Sequence, residues 1–247
     1  MWTWFHRLGS PPTFYRFADR LSPWLLLGWV LLMALGLWGG LVMAPPDYQQ
    51  GEAFRIIYVH VPSAWLSLFG YSFMAGAGVV ALIWRMNLAE CVLLAAAPIG
   101  ASFTALALIT GMLWGKPMWG TYWTWDARLT SELVLLFLYL GVIALAQANS
   151  DPRAGARAAS LLAVAGVINV PIVHYSVVWW NSLHQGATVT KFDSPSIAPE
   201  MLWPLLVMAL ACQLFFFWAL RRRSQGLLLL RERRARWVQP LLQAHPQ

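Results

Sequence analysis

Residues 92–148 read VLLAAAPIGASFTALALITGML, WGKPMWGTYWTWDARLTSE and LVLLFLYLGVIALAQA, which is an aromatic segment between two apolar runs. A membrane helix needs roughly 20 consecutive apolar residues. The first run reaches that length alone, and the last reaches it together with residues 130–132. The segment 114–132 therefore lies where one predicted membrane helix leaves the bilayer and the next one enters it.

Apolar stretches of this kind recur along the whole chain of 247 residues, of which 59% are hydrophobic and only 11% charged. Such a composition predicts an integral membrane protein. We expect an all-α bundle of six transmembrane helices that forms a single membrane domain over 1–247. The predicted spans are about 24–43, 61–84, 92–113, 130–148, 158–180 and 201–220. Small residues predicted to let helices approach closely are Gly36, Gly40, Gly70, Gly76 and Gly78.

The positive charges are distributed unevenly among the predicted loops. The N-terminal segment, the second and fourth loops and the tail 221–247 hold 13 of the 17 Lys and Arg residues and 4 of the 10 acidic residues, a net charge of +9. The other three loops have a net charge of −2. The positive-inside rule therefore predicts that both termini are cytoplasmic and that the segment 114–132 faces outward. The excess of Lys and Arg over acidic residues indicates contact with lipid head groups, not with nucleic acid.

The outer segment 114–132 is predicted to be a Trp-rich amphipathic loop, because it holds Trp114, Trp119, Trp123 and Trp125. Aromatic belts usually place Trp singly at helix ends. Here the rings are concentrated in one connection. An extended segment would direct the last three to one side, and a helical one would keep Trp119 and Trp123 together. Such a surface suits a large, planar, apolar ligand. Asp126 is expected to cap the next helix.

Three histidines lie at or near the predicted outer surface, namely His60, His174 and His184. His60 and His184 stand at helix–loop junctions on the same side as the Trp-rich loop. Two neutral imidazoles could occupy the axial positions of a haem iron from opposite sides. His174 lies deeper, in the fifth span, and is the alternative ligand.

Two arginines on the outer side, Arg55 and Arg128, are candidates to bind the propionates of such a ligand. Arg128 and Glu132 are four residues apart and could instead form an ion pair on one helix. Both possibilities remain open from the sequence.

Several functional classes are excluded by the absence of their motifs. Cys91 and Cys212 have no CxxC or CxxCH context, which argues against a disulfide framework and against covalently attached haem. The chain has no Walker, GxGxxG, HExxH or GxSxG sequence, so it does not resemble a self-sufficient ATPase or hydrolase, and any ATP must be bound by a partner. Two alternatives are a membrane redox subunit with haem b and quinone, and a channel-like haem exporter. The redox class usually places histidine pairs across the bilayer, whereas the inner half of the predicted spans has none.

Residues 119–126, WGTYWTWD, match the signature WGxxWxWD of the haem-handling, or WWD-domain, family. The chain resembles this family over its whole length, and within it the cytochrome c maturation protein C branch, also called haem exporter protein C. The resemblance rests further on YQQG at 48–51, RIIYVHVP at 55–62, WGKPMW at 114–119 and HYSVVWWNSLHQG at 174–186.

The resemblance implies a protein of the bacterial inner membrane that holds haem b at the periplasmic face. It implies axial ligation by His60 and His184, and a haem platform of Trp114, Trp119, Trp123, Trp125 and Asp126. It further implies delivery of haem to a periplasmic haem chaperone, the E protein, for biogenesis of c-type cytochromes. The implied partners are a small single-span D protein and an ABC-type complex of A and B subunits that releases the loaded chaperone.

Overall fold

The computed structural model describes residues 9–186, 188–189, 191 and 194–244, and their regular secondary structure is helical. The helices are α1 Pro11–Trp38, α2 Ile57–Trp84, α3 Asn87–Trp119, α4 Ala127–Gln147, α5 Pro152–Gly166, α6 Asn169–Trp179, α7 Pro199–Arg231 and α8 Gln239–Ala244. A π-helical turn, Gly39–Met43, extends α1, and a 3-10 turn, Glu52–Ile56, precedes α2. Arg7 and Asp193, which entered the charge balance, lie outside the described residues.

Six helical segments are long and apolar enough to cross a membrane, which confirms the predicted all-α integral membrane protein. They are 11–43, 52–84, 87–119, 127–147, 152–179 and 199–231. α5 and α6 together form the fifth segment, with a short break between them. The helices are longer than the predicted spans because polar and aromatic residues at their ends continue the backbone hydrogen bonding. α3 ends only at Trp119, so the non-helical connection to α4 is 120–126, shorter than the predicted loop 114–132.

Local sequence signals determine both ends of this connection. Gly120 ends α3 in the left-handed conformation, with φ 78°, and its N–H donates to the Lys116 carbonyl at 3.0 Å. Asp126 caps α4 as predicted, because its Oδ1 accepts a hydrogen bond from the Leu129 N–H at 2.9 Å. The connection between α3 and α4 is therefore held at both ends by caps.

The core lies in the middle of the bundle, where large aromatic side chains meet small ones. The rings of Tyr71 and Tyr139 are 4.9 Å apart, and the Tyr139 hydroxyl donates to the Ser67 carbonyl at 2.9 Å. A Cβ at Gly100 would come within 2.2 Å of the Tyr139 ring, so α3 and α4 can approach this closely only with glycine there. Four of the five glycines predicted to allow close approach do so; the prediction is wrong for Gly76, which faces open space.

Candidate functional site

A cavity of about 670 Å³ opens at the end of the bundle where α2 and α4 begin and α3 ends. This volume falls within the range of small-molecule and cofactor pockets, about 300–1,000 Å³. Six of the candidate site residues from the sequence line it: His60, Trp114, Trp119, Arg128, His174 and His184. Much of the remaining wall is apolar and comes from side chains of α2 and α3.

His60 lies in the first turn of α2 and is buried. Its Nδ1 is 3.1 Å from the Ala107 carbonyl and 3.1 Å from the Thr110 hydroxyl. A carbonyl only accepts, and the Thr110 hydroxyl donates its own proton to the Leu106 carbonyl at 2.6 Å. Nδ1 must therefore carry the proton. In the neutral ring this leaves Nε2 unprotonated, which is the form of the nitrogen that binds a metal.

His184 lies in the segment that follows α6, and its Nδ1 is 2.8 Å from the Gln185 carbonyl. The same reasoning assigns the proton to Nδ1 and leaves Nε2 free. The His184 backbone N–H donates to the Ser182 hydroxyl oxygen at 3.0 Å, and that hydroxyl donates to the Asp126 carboxylate. Burial, and secondly the positive charge of Arg128, lower the pKa of His184 below its ordinary value. Both causes favour the neutral imidazole that metals require.

The two imidazoles come together in the cavity, with ring centroids 6.2 Å apart and planes inclined by 36°. A metal–imidazole nitrogen bond is about 2 Å long and the ring centre lies about 1 Å behind the nitrogen, so two axial imidazoles on one metal have centroids roughly 6 Å apart. The observed separation fits that arrangement. Among the described residues no group of three or more His, Cys, Asp or Glu side chains could hold a bare metal ion.

A tryptophan ring accompanies each of these histidines. Trp114 packs edge-on against His60 at 5.6 Å, and its Nε1–H donates to the Gln50 side-chain oxygen at 2.9 Å. The Trp119 ring is 6.1 Å from His184. Both tryptophans lie in the last turns of α3, so the helix and not a loop directs them into the cavity.

The other residues of the predicted platform lie outside the cavity lining. Trp123 and Trp125 pack against each other edge-to-face at 5.4 Å, and Trp125 is 78% exposed. Asp126 caps α4 and binds Ser182, as described above. The turn at Gly120 lies between the two pairs of tryptophans.

The two arginines predicted as propionate partners have different surroundings. Arg128 lines the cavity and donates to the Val173 carbonyl at 2.7 Å, which links α4 to α6. Arg55 is not in the lining; it pairs with Glu52 and donates to the Gly40 carbonyl at 2.7 Å. The alternative ion pair between Arg128 and Glu132 is not formed among the described residues. Arg128 is therefore the arginine placed to meet a ligand in this cavity.

Two residues at the site received no role from the sequence: one lines the cavity and the other contacts His60. Glu132 is buried in the lining, and its Oε1 makes no hydrogen bond within the described residues. Its spacing of four residues from Arg128 was the available signal, because such residues share one helix face. Thr110, which orients His60, could not be found in this way, since the two residues are 50 positions apart.

The fold and the cavity define the class: an all-α integral membrane protein with six spans and a candidate ligand site at one end of the bundle. Residues 4–239 match the family CcmC, heme exporter protein C. The chain belongs to this family.

Three relatives illustrate the match. The chain is similar to heme exporter protein C of Haemophilus influenzae, with 49% identity over 243 residues, 98% of this chain and 99% of the relative. Heme exporter protein C of Escherichia coli K12 is 49% identical over 242 residues, 98% of each chain. The chain is also similar to a protein of Marchantia polymorpha, with 42% identity over 207 residues, 83% of this chain and 86% of the relative. That protein is named as a putative ccmC-like mitochondrial protein of cytochrome c biosynthesis.

Proposed function

We propose that this protein binds haem b between His60 and His184 at the periplasmic face of the inner membrane, and that it delivers the haem to a periplasmic chaperone for biogenesis of c-type cytochromes. Membership of the heme exporter protein C family supports haem as the ligand. The observation that carries the proposal is the pair of imidazoles 6.2 Å apart in one cavity, each with Nδ1 engaged by a carbonyl and Nε2 left for iron.

Each cavity residue then has a defined role towards the bound haem. His60 and His184 supply the two axial nitrogens. Trp114 and Trp119 provide apolar ring surface beside them. Arg128 offers a guanidinium for a propionate, a charge-assisted pairing that geometry favours for arginine.

The delivery step is assigned to the connection between α3 and α4. Trp125 is largely exposed there and packs on Trp123, so these two rings are the proposed contact for the chaperone, the E protein. The sequence contains no nucleotide-binding motif, which supports separate ABC-type A and B subunits as the source of ATP-driven release, assisted by the small D protein. The excess of basic residues at the opposite end of the bundle supports a periplasmic position for the cavity, with both termini cytoplasmic.

The test of binding is an absorption spectrum of the detergent-purified full chain. His60→Ala and His184→Ala should each convert a low-spin spectrum into a high-spin one and lower the haem content. His174→Ala is the matched control, because His174 lines the same cavity but is exposed. Low-spin spectra that persist in both alanine variants, or an equal loss in all three, would contradict axial ligation by His60 and His184.

The test of delivery uses Trp125→Ala. This change should leave the haem spectrum intact, because Trp125 lies outside the cavity lining, and should lower transfer of haem to the purified chaperone. Unchanged transfer together with a weakened haem spectrum would contradict the proposal that Trp123 and Trp125 serve delivery while Trp114 and Trp119 serve binding.

A further inference from the structure

A second cavity, of about 290 Å³, lies at the opposite end of the bundle, among the end of α2, the start of α3 and the start of α5. Three arginines line it: Arg85, Arg153 and Arg157. All three are exposed residues at the rim of a space that helices enclose on several sides. We call these side chains the arginine rim.

Among the described residues, no carboxylate forms an ion pair with the arginine rim. In the described part of the chain the ion pairs are formed by Arg55, Arg221 and Arg231. Glu90 is the acidic residue in the cavity lining, and its carboxylate pairs with Arg231. The cavity lining therefore carries three arginines, and its one carboxylate is already paired with a fourth arginine.

The start of α5 brings two of the three arginines together. Arg153 and Arg157 lie four residues apart in the first turns of α5, so they share one face of that helix. Like charges at this spacing destabilise a helix unless something compensates them. The N-terminal end of α5 is capped by Asp151, whose carboxylate accepts the Arg153 N–H at 3.0 Å, so the arginine side chains and not the helix end supply the positive charge.

Arg85 holds its charge at the cavity in a conformation that an L-residue seldom adopts. It ends α2 with φ 52° and ψ 39°, and it is the one non-glycine residue with positive φ in the described part of the chain. Glycine would adopt this geometry without strain. Strained positions persist where the surroundings or the function require the side chain.

We propose that the arginine rim binds the phosphate group of an anionic phospholipid. The cavity lies where three membrane helices end or begin, which is the depth of lipid head groups. Ala81 and Leu82 form an apolar side of the cavity. Ile83 is exposed on the adjoining surface of α2, where a lipid acyl chain could contact it. Arginine binds phosphate oxygens with paired N–H groups, and basic pockets between membrane helices bind lipid head groups by this means.

The test is native mass spectrometry of the full chain, purified in neutral detergent and supplied with phosphatidylglycerol or phosphatidylcholine. The cavity variant is Arg85→Gly with Arg153→Gln and Arg157→Gln; glycine suits the backbone at position 85. The matched control removes three other arginines predicted to lie at the same membrane surface: Arg233→Gln, Arg234→Gln and Arg236→Gln. We expect the wild type and the control to retain phosphatidylglycerol over phosphatidylcholine, and the cavity variant to retain about tenfold less phosphatidylglycerol.

Two further measurements distinguish a lipid from a soluble phosphate as the ligand, and a lost binding site from a folding defect. A rise in melting temperature with inorganic phosphate, without retained lipid, would keep the phosphate site but assign it to a soluble ligand. An unchanged absorption spectrum of the haem site at the other end reports an intact fold, and Arg157→Gln alone serves if the triple variant does not fold. Equal loss of lipid in both triple variants would overturn the proposal in favour of general surface charge. Failure of the wild type to respond to lipid or phosphate would also overturn it, and would leave an acidic protein segment as the occupant.

Discussion

Asp126 performs two tasks that can be separated by mutation. Its Oδ1 caps α4 through the Leu129 N–H, and its carboxylate accepts the hydroxyl of Ser182, which in turn accepts the His184 N–H. The first task stabilises a helix end, and the second anchors the segment that positions His184. We predict that the second matters more for the site than the first.

The expected magnitudes follow from the two contacts. Loss of an N-cap costs about 1 kcal/mol. Loss of a hydrogen bond to a charged group costs about 2 kcal/mol, with some reduction here because both partners are only half-buried. Asp126→Ala should therefore destabilise the protein by about 2–3 kcal/mol. Asp126→Ser keeps a capping oxygen but is too short to reach Ser182, so it should cost about 1–2 kcal/mol. Ser182→Ala removes the same contact and also the acceptor of the His184 N–H, so it should cost about 1 kcal/mol more.

The assay is a double-mutant cycle of Asp126→Ser and Ser182→Ala, followed by unfolding in mixed micelles and by hydrogen exchange. If Asp126 and Ser182 act through one contact, the double variant should cost about as much as Ser182→Ala alone, a coupling of about 1–2 kcal/mol. The amide of His184 should exchange faster in both single variants, while the amide of Leu129 should stay protected. Additive costs, or a Leu129 amide that loses protection in Ser182→Ala, would refute this account.

The remaining predictions concern packing and the two arginines. Gly100→Ala should destabilise the bundle by about 1–3 kcal/mol through overpacking against Tyr139, whereas Gly76→Ala, which meets open space, should be neutral or slightly stabilising in the same unfolding assay. Comparable losses in the two alanine variants would disprove the packing argument. Arg128→Gln should lower the haem content of the purified protein, whereas Arg55→Gln should lower its melting temperature without changing the haem content of the folded fraction, because only Arg128 lines the cavity. A larger loss of haem in the Arg55 variant would mean that the propionates lie on the other side of the site.

The number and order of the spans could be predicted because hydrophobic length is a strong signal. The helix ends could not be predicted, because the hydrogen bonding of a helix continues beyond the end of its apolar run. α3 continues through Trp114 and Lys116 to Trp119, and it ends only where Gly120 adopts positive φ. The predicted loop was therefore largely helix, and two of its four tryptophans point into the cavity from a helix.

The proximity of His60 and His184 could be predicted by counting membrane spans, because this count places both residues at the same membrane surface. The choice between Arg55 and Arg128 did not follow, because it depends on how each helix is rotated about its axis. Arg55 turns towards the Gly40 carbonyl, and Arg128 turns into the cavity. Short-range patterns contain no information on such rotations when the neighbours are distant in sequence.

The packing beneath the cavity limits how haem can reach it. The middle of the bundle is closed by Tyr71 and Tyr139, both fully buried, and Tyr139 is held by its hydrogen bond to Ser67 and by close contact with Gly100. A passage wide enough for a planar macrocycle would have to break these contacts. Changing the volume of even one core side chain typically costs several kcal/mol of folding free energy. Among the described residues, a straight passage through the middle of the bundle would therefore require Tyr139 to leave both Ser67 and Gly100.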